Sequence, residues 1–188
     1  DQFIDRTFAR EKSFFGTGLV AHVGLGHPVC PRLGDAIEEA AKGLGIQYRR
    51  GGTYLTMEGP QFSTLAESEL YRSWGCDVIG MTNMPEAKLA REAELCYASV
   101  SLVTDYDCWY PEQEQVEVAD ILAVLTSNAD RGRALVSDLP RRLAGRSLPC
   151  PEGCNTVLDT AIITAPESRD PDVLAKLDAV AGRVFEGA

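Results

Sequence analysis

Asp105 and Asp107 stand at the end of YASVSLVTDYD, a run with strongly β-like alternation. In an extended chain, residues two apart project on the same face. Two carboxylates on one face at a strand end cost electrostatic energy unless something uses them. Equally, Asp at a strand end is a common turn residue that caps a loop. Two more β-like runs end in residues of the same chemical character. After TYLTM come Glu58, Gly59, Pro60, Gln61, Phe62 and Ser63, and after DVIG come Met81, Thr82 and Asn83. Open α/β sheets bind ligands at the carboxyl ends of their strands. Three such constellations at successive strand ends predict one shared pocket.

Each residue has two readings. Phe62, just ahead of a helix start, is either a hydrophobic staple or core residue, or an aromatic wall against a flat ring. Thr82 sits where a strand meets a helix N-terminus. Its hydroxyl either caps that helix or joins free backbone N–H groups in holding an anion. Met81 is core filler or packs along a ligand. His22 lies in the Gly- and Pro-punctuated segment GTGLVAHVGLGHPVCP and is a solvated loop residue unless a site gives the imidazole a task. His27 reads as surface. Gly16-Thr17-Gly18 and Gly24-Leu25-Gly26 are not a dinucleotide fingerprint, because neither joins a clear strand to a helix.

The elements that must hold these residues follow from pattern. FIDRTFAR reads as the end of a strand, and TYLTM, DVIGMT and YASVSLVTDY read as strands. Ala36, Ile37, Ala40, Ala41 and Leu44 recur at helical spacing and predict a helix over 31–45. Thr64-x-x-Glu67 predicts a capping box for a helix running to Trp74 and closed by Gly75. Asn83-Met84-Pro85-Glu86 starts another. Val118, Ile121, Leu122 and Leu125 form one face of a helix over about 116–136. Residues 139–153 read as loop, CNTVLDTAII as helical, and Asp170-Pro171 as the start of a last helix. The alternation predicts an α/β fold, in a single domain over 1–188.

Composition narrows the function classes. The chain of 188 residues carries a net charge of −10, which argues against a nucleic-acid surface. It does not exclude a small anion, since a nest of backbone N–H groups binds phosphate on an acidic protein. No run approaches the roughly 20 apolar residues of a membrane span, and no signal peptide opens the chain. The six cysteines are Cys30, Cys76, Cys96, Cys108, Cys150 and Cys154. Four lie among apolar neighbours, as reduced thiols in a cytoplasm do. Cys150 and Cys154 make the one close pair. With both histidines distant in sequence, the spacing predicts no metal site, and leaves a reversible disulfide open.

The motifs DQFIDRT, EGPQFS, AESELYRSWG, MTNMPE and TDYDCW, in this order from Asp1 to about Leu135, resemble the trimeric purine nucleoside phosphorylase family, and within it the 5′-methylthioadenosine phosphorylases. The resemblance implies a nucleoside phosphorylase-like fold, a central mixed β-sheet flanked by helices. It implies phosphorolysis of 5′-methylthioadenosine to adenine and 5-methylthioribose 1-phosphate, with inorganic phosphate as co-substrate and no cofactor. Asp105 matches the acid at purine N7, and its carboxyl must then be raised from about 3.9 to hold a proton near neutrality. Asp107 matches a residue selecting the exocyclic amino group, Phe62 the ring that packs on the purine, and Met81 a contact along ribose and base. Thr82 matches a phosphate ligand. His22 would reach into the neighbouring subunit of a homotrimer. With Val118, Ile121 and Leu122 it would accept the methylthio end. Relatives that take 6-oxopurines carry Asn in place of Asp105 and Glu in place of Ser63, so both positions point to adenine.

DQFIDRT corresponds to the interior of the family's chain. The family's other phosphate ligands (a Gly-rich loop, an Arg-His pair and a Thr in a small-residue turn) belong to a part this sequence lacks, as do several sheet strands. The expectation is that the 188 residues alone show little or no phosphorolysis: either a second polypeptide completes them, or the chain is truncated, or it is not active alone. Competing readings are a broader purine nucleoside phosphorylase, a nucleosidase using water, and a non-catalytic nucleoside-binding fragment. The expected location is the cytoplasm, with no membrane and no nucleic-acid partner.

Overall fold

The computed structural model describes residues 1–111, 118–145 and 149–185, with the side chains of 118–121 outside that set. TYLTM and its neighbours pair into a parallel sheet of β1 (Gln2–Arg6), β2 (Thr53–Met57) and β3 (Val78–Gly80), in the order β1-β2-β3. Gln2 to Arg6 pair with Thr53 to Met57, and Tyr54 to Thr56 with Val78 to Gly80. Leu55 and Thr56, in the central strand, are fully buried. Parallel strands need long crossovers. Helices α1 (Pro31–Gly43) and α2 (Leu65–Ser73) lie within these two connections.

Local chemistry sets the helix ends. Pro31 opens α1, where its missing N–H costs nothing. Gly45, at φ 67°, closes it by donating its N–H to Lys42 O at 3.1 Å. The capping box of α2 forms as expected: Thr64 Oγ1 accepts from Glu67 N, and Glu67 Oε2 accepts from Thr64 N at 2.8 Å. A short α3 (Glu86–Glu92) follows β3. Long α4 (Val118–Leu143) packs Leu135 and Leu139 on Ala40, Ala41, Ile37 and Ile46. In α5 (Pro171–Phe185), Leu177 and Ala181 close a core with Phe15, Leu19, Leu158 and Ala161. Among the described residues no helix is long and apolar enough to cross a membrane.

Three elements differ from expectation. The β-patterned run 97–103 is not in the sheet. Its carbonyls are claimed elsewhere: Tyr97 O accepts from Cys30 N at 2.8 Å, and Val103 O from Asn128 Nδ2 at 2.8 Å. Residues 100–103 instead face Tyr54 and Val78 across a cleft. Pro140 does not end α4, although it removes one helical donor. The burial of Leu135 and half-burial of Leu139 hold that turn, and Arg142 pairs with Asp138 across the proline. CNTVLDTAII yields only a 3-10 turn at Cys154–Asp159, entered through Gly153 at φ 68°. All strand pairs among the described residues are parallel.

Candidate active site at the strand ends

Parallel β1, β2 and β3 deliver their carboxyl ends to one side of the sheet, and a cleft of ≈ 1080 Å³ opens there. Phe62, Ser63, Met81, Thr82, Asp105 and Asp107 all line it. The convergence predicted from three separate strand-end motifs is therefore present, although the third motif arrives on an unpaired segment. Phe62 is 85% exposed, which rules out the staple or core reading and leaves its face to the cleft.

Arg10 holds the first two strand ends together, and sequence pattern gave no sign of it. Its Nη1 donates to Met81 O at 2.8 Å and Met84 O at 2.6 Å. Its Nη2 donates to Glu58 O at 2.9 Å and Met57 O at 3.4 Å, while Nε reaches Glu58 Oε1 at 3.3 Å. One guanidinium thus fixes the loop after β2 against the loop after β3, a task suited to a rigid five-donor fork. Glu58 also accepts from the N–H groups of Phe8 at 2.7 Å and Ala9 at 3.3 Å. The Phe8 N–H leads in holding its carboxyl below the usual range, against burial and with Ala9 and Arg10 assisting. Gly59 is required between them. Its φ is 73°, and a Cβ there would meet Met81 Sδ at 2.6 Å.

The third strand-end motif is held by α2. Buried Ser68 donates to Asp107 Oδ2 at 2.5 Å, and Asp107 Oδ1 accepts from Cys108 N at 2.8 Å. Four residues along the helix, the Arg72 guanidinium lies 3.5 Å from the centre of the Trp109 ring. Their spacing of four sets Ser68 and Arg72 on a common face of α2. Asp107 is therefore anchored, and Asp105 is the exposed carboxylate of the pair. Thr104 Oγ1 donates to Asp105 Oδ1 at 2.8 Å.

Thr82 is not a helix cap. The N-cap of α3 is Pro85, without a side-chain hydrogen bond, and Thr82 stands exposed in the cleft with its hydroxyl 3.3 Å from Tyr54 Oη. Its backbone carbonyl is fixed by Thr56 Oγ1 at 2.9 Å. His22 lies outside the cleft lining. It is exposed on a segment fastened to 161–164, its N–H donating to Ala161 O at 2.8 Å. Val118 and Ile121 open α4 with their side chains outside the described residues, and Leu122 is 55% exposed.

Residues 1–140 match the sequence pattern of the Phosphorylase superfamily. This chain belongs to that superfamily. Among curated members, it is 64% identical over 187 residues to the S-methyl-5′-thioadenosine phosphorylase of Cereibacter sphaeroides, covering 100% of this chain and 64% of the relative. It is 63% identical to that of Rhodospirillum rubrum, covering 98% and 63%. In structure it matches a methylthioadenosine phosphorylase from an Antarctic soil metagenomic library with TM-score 0.88 at 40% identity, over 96% of this chain and 63% of that one. A Schistosoma mansoni methylthioadenosine phosphorylase in complex with adenine matches with TM-score 0.77 at 29% identity, over 86% and 64%. This superfamily chain thus spans a little under two thirds of the relatives it matches. The α/β arrangement, a sheet with flanking helices, is the one these phosphorylases share.

Proposed function

We propose that the cleft is the purine-recognition half of a 5′-methylthioadenosine phosphorylase. The convergence of Phe62, Ser63, Met81, Thr82, Asp105 and Asp107 at the strand ends carries the reading. Its support is the identity to two curated S-methyl-5′-thioadenosine phosphorylases and the likeness to a methylthioadenosine phosphorylase complexed with adenine.

The chemistry runs as follows. The purine lies against Phe62 by offset or edge contact. Asp105, protonated, lends its proton to N7 as the C1′–N9 bond breaks, so that adenine leaves neutral. Phosphate, with Thr82 as one donor, attacks C1′, and its proton restores the Asp105 carboxyl. Phosphate also offsets the positive charge that develops on the ribose. Asp107, fixed by Ser68, accepts from the exocyclic amino group. A 6-oxo group there would face an acceptor, and that unpaired contact discriminates strongly. In this chain Asp105 and Phe62 are exposed, so a bound purine has access to both.

The 5′ end falls to Val118, Ile121 and Leu122 on α4 and to His22 from an adjoining subunit in a homotrimer. No cofactor is required, and the place of action is the cytoplasm, in methionine and purine salvage. The test is adenine release from 5′-methylthioadenosine by the polypeptide at its natural length, with and without phosphate. Phosphate-dependent release with 5-methylthioribose 1-phosphate as co-product supports the reading. Release independent of phosphate would make the protein a nucleosidase.

A further inference from the structure

Four cysteines that are scattered in sequence come together in space, which their spacing had not indicated. The Sγ atoms of Cys30, Cys96, Cys150 and Cys154 all lie within 4.8 Å of one another. Cys30 directly precedes α1, Cys96 follows α3, and the other two flank one tight turn. Cys30, Cys150 and Cys154 are buried and Cys96 is half-buried. None is paired in a disulfide. The Cys30–Cys150 sulfur separation is 3.8 Å, far beyond the roughly 2.05 Å of an S–S bond. It equals the edge, about 3.8 Å, of a tetrahedron of sulfurs each 2.3 Å from a central zinc.

The surroundings are those of a thiolate site. Four thiolates around a divalent cation retain two negative charges. Two guanidiniums lie against the cluster, Arg32 Nη2 at 3.5 Å from Cys96 Sγ and Arg91 Nη1 at 4.0 Å from Cys154 Sγ. The turn carrying Cys150 and Cys154 is held independently: Gly153 N donates to Cys150 O at 2.9 Å, and Cys150 N donates to Asn155 Oδ1 at 2.7 Å. Cys30 N reaches Tyr97 O at 2.8 Å, locking the two remaining ligand backbones together.

We infer that Cys30, Cys96, Cys150 and Cys154 form a closed tetrathiolate site for one zinc ion. Four protein ligands leave no open position, so the ion is structural rather than catalytic. Four soft donors in a tetrahedron select zinc over oxygen-seeking cations. The ion would clamp the start of α1, the entry to the segment bearing Asp105, and the 150–154 turn. This inference does not depend on the cleft's being a purine site.

The test uses the polypeptide at its natural length, prepared under reducing conditions without a metal-affinity step. Elemental analysis is expected to find one zinc per chain, and Cys154→Ser is expected to lose it. Cobalt exchanged into the site is expected to give the intense red-region absorption and thiolate charge-transfer band of tetrahedral cobalt with four sulfurs. Should Cys154→Ser fail to fold, metal content and the cobalt spectrum of the unaltered protein still decide. Metal-free protein whose four thiols react freely, or are joined as disulfides, would overturn the inference, as would a cobalt spectrum of octahedral type.

Discussion

Ser68, buried on α2, donates its hydroxyl to Asp107 Oδ2 at 2.5 Å. Thirty-nine residues separate the two in sequence, and the bond fixes one carboxylate of a closely spaced pair while the other faces the cleft. Ser68→Ala removes a charge-assisted bond to a partly buried group, a loss of about 1–3 kcal/mol. Urea unfolding is expected to show a lowered midpoint, with adenine affinity reduced as Asp107 loses its orientation. Unchanged stability and unchanged affinity would show that the bond organises nothing.

Phe62 behaves oppositely. It is exposed and contributes little to folding, so Phe62→Ala is expected to leave the unfolding midpoint within about 0.5 kcal/mol of the unaltered protein. Adenine affinity is expected to fall about tenfold, the worth of an aromatic contact near 1.5 kcal/mol. A variant that destabilises without weakening adenine binding would return Phe62 to the core reading.

Arg10 ties the Met57–Glu58 and Met81–Met84 carbonyls with one fork. Lysine supplies charge but not the planar set of donors. Arg10→Lys is expected to cost about 2 kcal/mol, because several partly buried acceptors lose their donor. Calorimetry reads this as a lowered Tm, and full recovery of stability by lysine would contradict the fork.

Asp5 carries a pH dependence. Burial raises its pKa, but the contacts of Lys88, Thr7 and Lys12 outweigh burial and hold the carboxyl far below the ordinary range. A carboxyl depressed by folding contributes stability above its unfolded value, near 3.9, and loses it as pH falls toward the folded value. Acid unfolding is therefore expected to steepen below about pH 4, and Asp5→Asn to flatten that slope while lowering stability at neutral pH. An unaltered slope in the Asn variant would assign the acid sensitivity to other carboxylates.

What was legible in the sequence was local. Thr64 and Glu67 announce the start of α2, and both halves of their box form. The alternation of TYLTM gives β2, and the small-residue stripe Ala36, Ala40, Ala41 gives the buried face of α1. Pairing was not legible. A strand's pattern says that it suits a sheet, whereas the ladder depends on distant partners, and Tyr97–Val103 spends its carbonyls on Cys30 and Asn128 instead. The continuation of α4 through Pro140 was hidden likewise, because tertiary burial of Leu135 overrides a local breaker. At the site, the six cleft residues were readable from types placed at strand ends. Arg10, Ser68 and Arg72 were not, since a positioning residue shows only through what it touches. The four-cysteine cluster was invisible for the same reason.

The central claim is that this cleft recognises adenine, with Asp107 selecting its exocyclic amino group. Its most direct test is calorimetric titration of the natural-length polypeptide with adenine and with hypoxanthine, repeated on Asp107→Asn. The account predicts saturable adenine binding, a preference over hypoxanthine of tenfold or more, on the order of one lost polar contact, and collapse of that preference in the variant. Equal affinity for the two bases, or a preference untouched by Asp107→Asn, would contradict it.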